Sequence, residues 1–138
     1  MKSLVEVLRK FELKSGRARV LIVEDDFLIA LQIEDMLTAA EMQVVGIAST
    51  ADQAIVLAAH GRPALAVMDV RLAGDRDGID VAGELFRRFN IRSIFATATD
   101  DPNTRARAVS YAPLGWLTKP YTMTSLLVAM TAAITDLG

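Results

Sequence analysis

Short apolar runs that alternate with helical segments constrain the fold more than any other feature of the chain. Five runs occupy residues 20–23, 44–48, 64–68, 94–96 and 114–117. They are continuously apolar, as expected for strands that are buried on both faces of a parallel sheet. The order of strands and helices therefore predicts an α/β fold with a doubly wound, five-stranded parallel sheet.

Each run is followed by a segment with apolar residues at helical spacing. These segments occupy residues 27–40, 51–59, 79–89, 102–111 and 122–137. The first carries Leu28, Leu31 and Leu37 on one side, and the third begins just after the turn pair Asp77-Gly78. The length of 138 residues suggests one such domain, which we place at residues 18–138.

A helical extension is expected at residues 1–17, in front of the first strand. Ser3 and Glu6 have the spacing of a capping box, and Gly16 would end the helix. One stripe of this helix would consist of Leu4, Val7, Leu8 and Phe11. A disordered leader is the alternative.

Composition argues against several classes of partner and site. The net charge of −2 is too near neutral to indicate a nucleic-acid or membrane partner. Without cysteine, the chain has neither a disulfide framework nor a thiolate metal site. No apolar run approaches the roughly 18 residues of a membrane span, and the charged N-terminus is unlike a secretory signal. We therefore expect a cytoplasmic protein with no nucleic-acid and no membrane partner.

Acidic residues follow two of the predicted strands. Glu24 and Asp25 end the first strand, and Asp69 ends the third. In open α/β sheets, ligands bind beyond the carboxyl ends of the strands. Three carboxylates at that edge repel one another unless a cation neutralises them, and a hard divalent ion such as Mg²⁺ or Mn²⁺ suits oxygen ligands. Asp26 precedes a helix and is expected to be its N-cap.

A hydroxyl and an ammonium follow the last two strands at the same edge. Thr97 ends the fourth strand and Lys119 ends the fifth. Taken singly, each residue has an ordinary explanation: Asp69 could cap a turn, Thr97 could fill a strand and Lys119 could be solvated. Their joint occurrence at strand ends indicates a site for a phosphate group and a metal ion.

The motifs around these residues resemble those of the receiver domains of two-component response regulators, over residues 19–137. "VLIVEDD" resembles the acidic first-strand motif, "VMDVRL" the phospho-acceptor motif and "FATA" the switch Thr-Ala. "LTKP" resembles the Lys-Pro that is usually joined by a cis peptide. The resemblance implies a flavodoxin-like sheet and a signalling module that is not an enzyme.

The same resemblance implies a role for each site residue. Asp69 would accept a phosphoryl group. Mg²⁺ or Mn²⁺ would be bound directly by Asp25 and Asp69, through water by Glu24, and by the backbone carbonyl of Arg71. The product would be a mixed anhydride that carries about −1.5 to −2 charges at neutral pH.

The implied switch involves the last two strands. Thr97, with the adjacent Ala98, would hydrogen-bond the phosphoryl oxygen, and Lys119, in cis linkage to Pro120, would pair with it. Trp116 occupies the usual aromatic switch position, three residues before the lysine. Drawing Thr97 inwards would leave room for Trp116 to rotate.

Three features depart from the family pattern. The loop VRLAGDRDG after Asp69 is slightly longer than usual and lacks the usual proline. Pro113 and Trp116 replace commoner residues near the switch. "FATA" partly resembles a Phe-Ala-Thr-Gly signature of single-domain alphaproteobacterial receivers, but Ala98 in place of glycine and the normal spacing from Thr97 to Lys119 argue against full membership.

Two other functions stay open at this point. A phosphatase of the haloacid dehalogenase type is also an Mg²⁺-dependent α/β protein that uses aspartate, but it needs Asp-x-Asp after its first strand. Here Asp69 ends the third strand, and Arg71 stands two residues beyond it. A receiver-like scaffold that never accepts phosphate is the second alternative, and the complete acidic set argues against it.

Two further motifs carry no predicted chemistry. His60 is the only histidine, and its place after the second helix indicates a surface or helix-end role. A Ser-His-Asp arrangement is therefore not expected. The segment GDRDG lacks the alternating acids and final glutamate of a calcium loop.

The expected partners are a histidine kinase or phosphotransfer protein and a downstream protein target. No second domain follows Leu137, so we expect no DNA-binding or catalytic output in this chain. A stand-alone receiver, a phosphorelay shuttle and a fragment of a larger protein are all compatible with this expectation.

The last helix is also a predicted contact surface. It carries one charge, Asp136, and leaves Val128 and Ala132 on its outer faces. A helix so poor in charge is seldom wholly solvated. We expect it to form a protein–protein face with the fourth helix and the fifth strand, by default in a two-fold homodimer. The N-terminal stripe would pack beside it; a monomer with a frayed N-terminus is the alternative.

Overall fold

The computed structural model describes residues 18–138. The predicted N-terminal helix, with Leu4, Leu8 and Phe11, lies outside these residues. In chain order the elements are β1 Arg19–Val23, α1 Phe27–Ala39, β2 Gln43–Ala48, α2 Ala51–Gly61, β3 Leu65–Asp69, α3 Gly78–Phe89, β4 Arg92–Thr97, α4 Pro102–Ala108, β5 Gly115–Thr118 and α5 Met123–Leu137. A 3₁₀ turn, Val109–Tyr111, separates α4 from β5.

The five strands form one parallel sheet in the order β2-β1-β3-β4-β5. This order confirms the predicted doubly wound, flavodoxin-like fold. The three inner strands are almost wholly buried, whereas β2 and β5, at the sheet edges, are partly exposed. Because the chain leaves β1 towards β2 and later returns to β3 on the other side, the topological switch point lies between β1 and β3, where such folds bind ligands.

Two hydrophobic layers cover the two faces of the sheet. Alternate residues of a strand point to opposite faces. In β1, Val20 and Ile22 therefore pack in the layer of α1 and α5, whereas Leu21 and Val23 pack in the layer of α2, α3 and α4. Continuous apolar runs were the correct signal because every position of an inner strand faces one of these layers.

The predicted inner face of α1 is wrong. Leu28, Leu31 and Leu37 were placed on one side of the helix, but Leu37 is buried, Leu31 is half-buried and Leu28 is 72% exposed. The buried residues of α1 are Ala30, Ile33 and Leu37. Leu28 lies four and seven residues before Gln32 and Asp35, so it shares the polar side of the helix, whereas Ile33 and Leu37 lie on the side that packs against the sheet.

Side-chain caps set the beginnings of the five helices. The N-caps are Asp26, Thr50, Asp77, Asp101 and Thr122, and each side chain accepts a hydrogen bond from a backbone N–H of the first turn. The predicted cap at Asp26 is confirmed. The sequence suggested that α3 begins at Ile79. Because Asp77 is the N-cap, the helix begins at Gly78.

Candidate functional site

The predicted site residues meet at the carboxyl edge of the sheet. Glu24 and Asp25 follow β1, Asp69 ends β3, Thr97 ends β4 and Lys119 follows β5. All five line one cleft of about 590 Å³. The parallel strands bring together residues that are up to 95 positions apart in the sequence.

Three carboxylates crowd the floor of this cleft. Glu24 and Asp69 are buried, with 2% and 5% exposure, whereas Asp25 is exposed. One oxygen from each of the three lies within 4.8 Å of the others. The ammonium of Lys119 lies 2.9 Å from Glu24 Oε1 and 3.1 Å from Asp69 Oδ1. One positive charge therefore faces three carboxylates.

Backbone N–H groups of the adjoining loops hold the two buried carboxylates. Asp26 N–H donates to Glu24 Oε2 at 3.2 Å, and Arg71 N–H donates to Asp69 Oδ1 at 3.2 Å. The β3–α3 loop, which starts at Val70, thus contacts the carboxylate of Asp69 through the backbone of Arg71. The role of its carbonyl as a metal ligand remains a prediction.

The pKa values of these groups reflect their crowding. Burial, together with the neighbouring Glu24, raises the pKa of Asp69 to about 7, although Lys119 opposes this shift. Burial also acts to raise the pKa of Glu24, but its hydrogen bonds to Asp69, Lys119 and the Asp26 N–H outweigh burial and leave the pKa lowered. Burial disfavours the ammonium of Lys119, yet the two carboxylates raise its pKa. Asp69 therefore ionises only with difficulty when no cation is present.

The carboxylate set fits a hard divalent cation. Three carboxylates that converge at one point offer the oxygen ligands that Mg²⁺ and Mn²⁺ prefer. A cation among them would offset the repulsion that raises the pKa of Asp69. The donor chemistry of the cluster thus agrees with the metal type expected from the sequence.

The hydroxyl of Thr97 is engaged with its own loop. Thr97 is buried, its Oγ1–H donates to the carbonyl of Thr99 at 2.8 Å, and Oγ1 accepts from the Thr99 N–H at 3.2 Å. The N–H of Lys119 donates to the Thr97 carbonyl at 2.8 Å, and Ala98 lines the cleft. The Lys119–Pro120 peptide is cis. A role of Thr97 towards phosphate would require its hydroxyl to leave Thr99.

Trp116 belongs to β5, and its side chain lies between the sheet and α4. Its ring stacks on the buried Phe95, with centroids 4.8 Å apart. The guanidinium of Arg105 lies over the indole, 4.9 Å from its centroid, and also pairs with Asp100 at 2.6 Å. The indole therefore contacts both the core and the helix α4.

Three residues near the site were missed at the sequence level. Arg107 lines the cleft and pairs with Asp77, which was seen only as part of a turn. A contact across 30 positions leaves no local sequence signal. The Tyr121 hydroxyl is buried without a hydrogen-bond partner among the described residues. Burial and the charges of Glu24 and Asp69 raise the pKa of Tyr121.

His60 lies at the end of α2, as predicted. It is exposed, and its Nδ1 lies 2.9 Å from the carbonyl oxygen of Val56 in the preceding turn. In the part of the chain from residue 18 onwards, no helix is long and apolar enough to cross a membrane.

Comparisons with curated proteins show related regulators. Residues 20–131 match the family model of the response regulator receiver domain. The transcriptional regulatory protein PdtaR of Mycobacterium tuberculosis is 33% identical over 116 residues, which are 84% of this chain and 56% of PdtaR. The phyllosphere-induced regulator PhyR of Methylorubrum extorquens is 35% identical over 80 residues, or 57% of this chain and 30% of PhyR. The chain thus spans about half or less of these relatives.

Solved structures give the same assignment. The signal receiver domain of a modulated diguanylate cyclase from Desulfovibrio desulfuricans G20 superposes with a TM-score of 0.80 at 32% identity, covering 87% of this chain and 95% of that domain. The anti-anti-sigma factor PhyR of Bartonella quintana, as a double mutant, gives 0.78 at 29% identity, covering 96% of this chain and 54% of PhyR. Together with the matched family model, these likenesses show that the chain belongs to the response regulator receiver domain family.

Proposed function

We propose that Asp69 accepts a phosphoryl group from a histidine kinase or phosphotransfer protein, and that the modified chain signals through protein–protein contacts. One observation carries this proposal: a buried carboxylate stands at the switch point of the sheet, with an ammonium 3.1 Å away and two further carboxylates beside it. The carboxylates supply a metal site, and the ammonium supplies a counter-charge for an incoming phosphoryl group.

The metal site would consist of Asp25 and Asp69 as direct ligands, Glu24 through water and the carbonyl of Arg71. A bound Mg²⁺ or Mn²⁺ would neutralise charge on the carboxylate and on the phosphoryl oxygens. The remaining steps belong to the residues of the chain, whose task is positioning and electrostatic stabilisation.

Phosphoryl transfer would exchange one bond to phosphorus for another. A carboxylate oxygen of Asp69 forms a bond to phosphorus while the bond to the donor's histidine nitrogen breaks, and that nitrogen keeps the electron pair. Lys119, which already contacts Asp69, pairs with a phosphoryl oxygen. The hydroxyl of Thr97 leaves the Thr99 carbonyl and donates to another phosphoryl oxygen.

The alternative phosphatase function lacks its second acid. Arg71, two residues after Asp69, is an exposed loop residue whose N–H donates to the Asp69 carboxylate. It has no carboxyl group that could protonate a leaving group. We therefore expect almost no turnover of p-nitrophenyl phosphate. A scaffold without phosphorylation would give no role to the ion pair between the buried Asp69 and the half-buried Lys119.

Incubation with acetyl phosphate and Mg²⁺, followed by intact mass spectrometry, tests the proposed function. The native chain should gain one phosphoryl group, and Asp69→Asn should gain none. Asp75→Asn is the matched control, since it makes the same chemical change at an exposed acid of the β3–α3 loop, and it should label normally. Equal labelling of native protein and Asp69→Asn would refute the assignment of Asp69.

Replacing Asp25 with alanine should weaken Mg²⁺ binding by at least about tenfold, because it removes a ligand carboxylate from the cluster. The fluorescence of Trp116, the only tryptophan, or NMR shifts of the site can report the titration. Glu41→Ala is the control, since Glu41 is an exposed acid in the turn before β2. An unchanged Mg²⁺ affinity in Asp25→Ala would contradict the proposed ligand set.

A contact face on α4, β5 and α5 would transmit the signal. Val128 on α5 is 46% exposed, Ala132 is also exposed, and Val109 after α4 is 69% exposed. We propose that this face binds the downstream target or a second copy of the chain in a two-fold dimer. Light scattering with and without beryllofluoride tests the dimer, and a constant monomer mass in both conditions would exclude it.

A further inference from the structure

Helix α4 contacts the rest of the domain through one buried residue and two charged side chains. It has seven residues, and Ala108 is its one buried residue. Arg105 and Arg107, which project from this helix, reach other parts of the molecule. Arg105 pairs with Asp100 and covers Trp116, whereas Arg107 reaches the N-terminus of α3. Ion pairs of Arg105 and Arg107 therefore act on the position of α4 in addition to the burial of Ala108.

Arg107 binds both acids that cap α3. Its two terminal nitrogens lie 2.7 and 3.1 Å from the two carboxylate oxygens of Asp77, and Nη2 also lies 3.1 Å from Asp80 Oδ1. We call these contacts the Arg107 latch. Its side chains are between 34% and 48% exposed, so each ion pair alone is weak, but the guanidinium fork holds two carboxylates at once.

The two acids of the latch also form the capping box of α3. Asp77 accepts from the Asp80 N–H, and Asp80 accepts from the Asp77 N–H, both at 3.0 Å. A displacement of these carboxylates would therefore affect the first turn of α3. The latch thus connects α4 to the beginning of α3.

The beginning of α3 lies directly against the backbone of the phosphoryl acceptor. The N–H of Gly78 donates to the Val70 carbonyl at 2.7 Å. A Cβ atom on Gly78 would lie 1.8 Å from the carbonyl oxygen of Asp69. Contiguous contacts therefore run from Asp69 through Gly78 and the capping box to Arg107.

We infer that Arg107 is a positioning residue that couples the state of Asp69 to the position of α4 through the N-terminus of α3. This coupling is separate from the implied switch of Thr97 and Trp116, and it depends on the proposed phosphorylation of Asp69. The phosphorylated side chain of Asp69 carries about −1.5 to −2 charges, against at most −1 for the free carboxylate, in the cleft that Arg107 also lines. It attracts the guanidinium away from Asp77 and Asp80, so the latch is weaker in the modified protein.

Linkage then fixes the direction of the effects. A contact that is stronger in the unmodified state opposes modification, and its removal favours the modified state. Asp80→Asn loosens the latch and keeps both the charge of Arg107 and a side-chain acceptor for the cap. It should therefore raise the affinity for beryllofluoride, a phosphoryl analogue, by about two- to fivefold.

A double-mutant cycle separates the latch from simple charge effects. Beryllofluoride affinity is measured by ¹⁹F NMR in the presence of Mg²⁺ for the native chain, Asp80→Asn, Arg107→Gln and the double variant. The gain from Asp80→Asn should disappear in the Arg107→Gln background, because no latch remains there. An equal gain in both backgrounds would be a plain effect of charge and would overturn the inference.

Hydrogen exchange supplies the structural readout. Amides of residues 102–108 should exchange about two- to fivefold faster in Arg107→Gln than in the native chain, and beryllofluoride should produce a similar rise in the native chain. Arg88→Gln is the control, since Arg88 pairs with Glu84 four residues away on α3 and makes no ion pair to α4 among the described residues. Unchanged exchange of α4 in Arg107→Gln would also overturn the inference.

Two further outcomes remain distinguishable. If Arg107→Gln unfolds, Arg107→Lys keeps the charge without the fork and should give a smaller coupling in the same cycle. If the native chain neither binds beryllofluoride nor gains mass with acetyl phosphate, the proposed function itself fails. If all four proteins of the cycle bind beryllofluoride and the effects of the two substitutions are additive, the coupling is refuted and the proposed function is not.

Discussion

Replacing Gly78 with alanine is expected to destabilise the protein by about 3 kcal/mol and to displace the backbone of Asp69. The added Cβ would lie 1.8 Å from the Asp69 carbonyl oxygen, 2.7 Å from its carbonyl carbon and 2.9 Å from the Cα of Val70. All three are backbone atoms, so no side chain can rotate away. Either α3 must move away from the sheet or β3 must bend at Asp69.

Urea unfolding followed by circular dichroism measures this effect. Gly115→Ala is the matched control, because a Cβ on Gly115 meets no atom within 4 Å in the described structure. It should be neutral or stabilise by about 0.4–1 kcal/mol, by restricting the unfolded chain. Equal stabilities of the two variants would contradict the close packing of α3 against Asp69. Gly78→Ala should also accept phosphate more slowly, since Asp69, the proposed acceptor, has shifted.

Asp69→Asn is expected to stabilise the protein in metal-free buffer at about pH 8, by up to about 4 kcal/mol. The pKa of Asp69 is about 7 in the folded chain, against an ordinary value of 3.8. The folded state therefore binds more protons between these values, so stability falls as the pH rises through this window. Above about pH 7 the native chain carries the full cost of the ionised, buried carboxylate, which asparagine removes. The attraction of Lys119 already limits this cost, because it opposes the rise in the pKa of Asp69.

The pH and metal dependence of this effect can be measured by urea unfolding in a chelator. The advantage of Asp69→Asn should shrink towards zero as the pH falls to about 4, because the native carboxyl is then protonated in the folded state. Mg²⁺ should stabilise the native chain and have much less effect on Asp69→Asn. Asp75→Asn, an exposed acid, should change stability by less than about 0.5 kcal/mol. A variant less stable than the native chain at about pH 8 would contradict the crowding of the three carboxylates.

The fold could be predicted from the sequence because each inner strand is apolar on both faces. Residues 64–68 have no polar side chain, and this pattern is typical of a strand between two helical layers. The inner face of α1 could not be predicted in the same way. Leu28 and Ile33 are similarly hydrophobic, but Leu28 shares its side of the helix with Gln32 and Asp35, and the grouping of the leucines did not take these polar residues into account.

The site could be predicted because parallel strands carry it to one edge. Glu24, Asp69 and Lys119 are far apart in the sequence, yet each lies at the carboxyl end of a strand, and strand order alone brings them together. Contacts that depend on how the helices pack against one another could not be predicted from the sequence. Arg107 and Asp77 meet because α4 packs beside α3. The close approach of Gly78 to Asp69 depends on how near the N-terminus of α3 packs to the end of β3.

Reduction with borohydride after treatment with acetyl phosphate and Mg²⁺ tests the central claim most directly. An aspartyl phosphate is an acyl phosphate, and hydride converts its carbonyl carbon to the alcohol of homoserine while phosphate leaves. Peptide mass mapping then identifies the modified position. We predict homoserine at Asp69 and unchanged residues at Glu24, Asp25 and Asp26. Homoserine at another position, or none at any position in protein whose intact mass shows a phosphoryl group, would contradict the assignment of Asp69 as the acceptor.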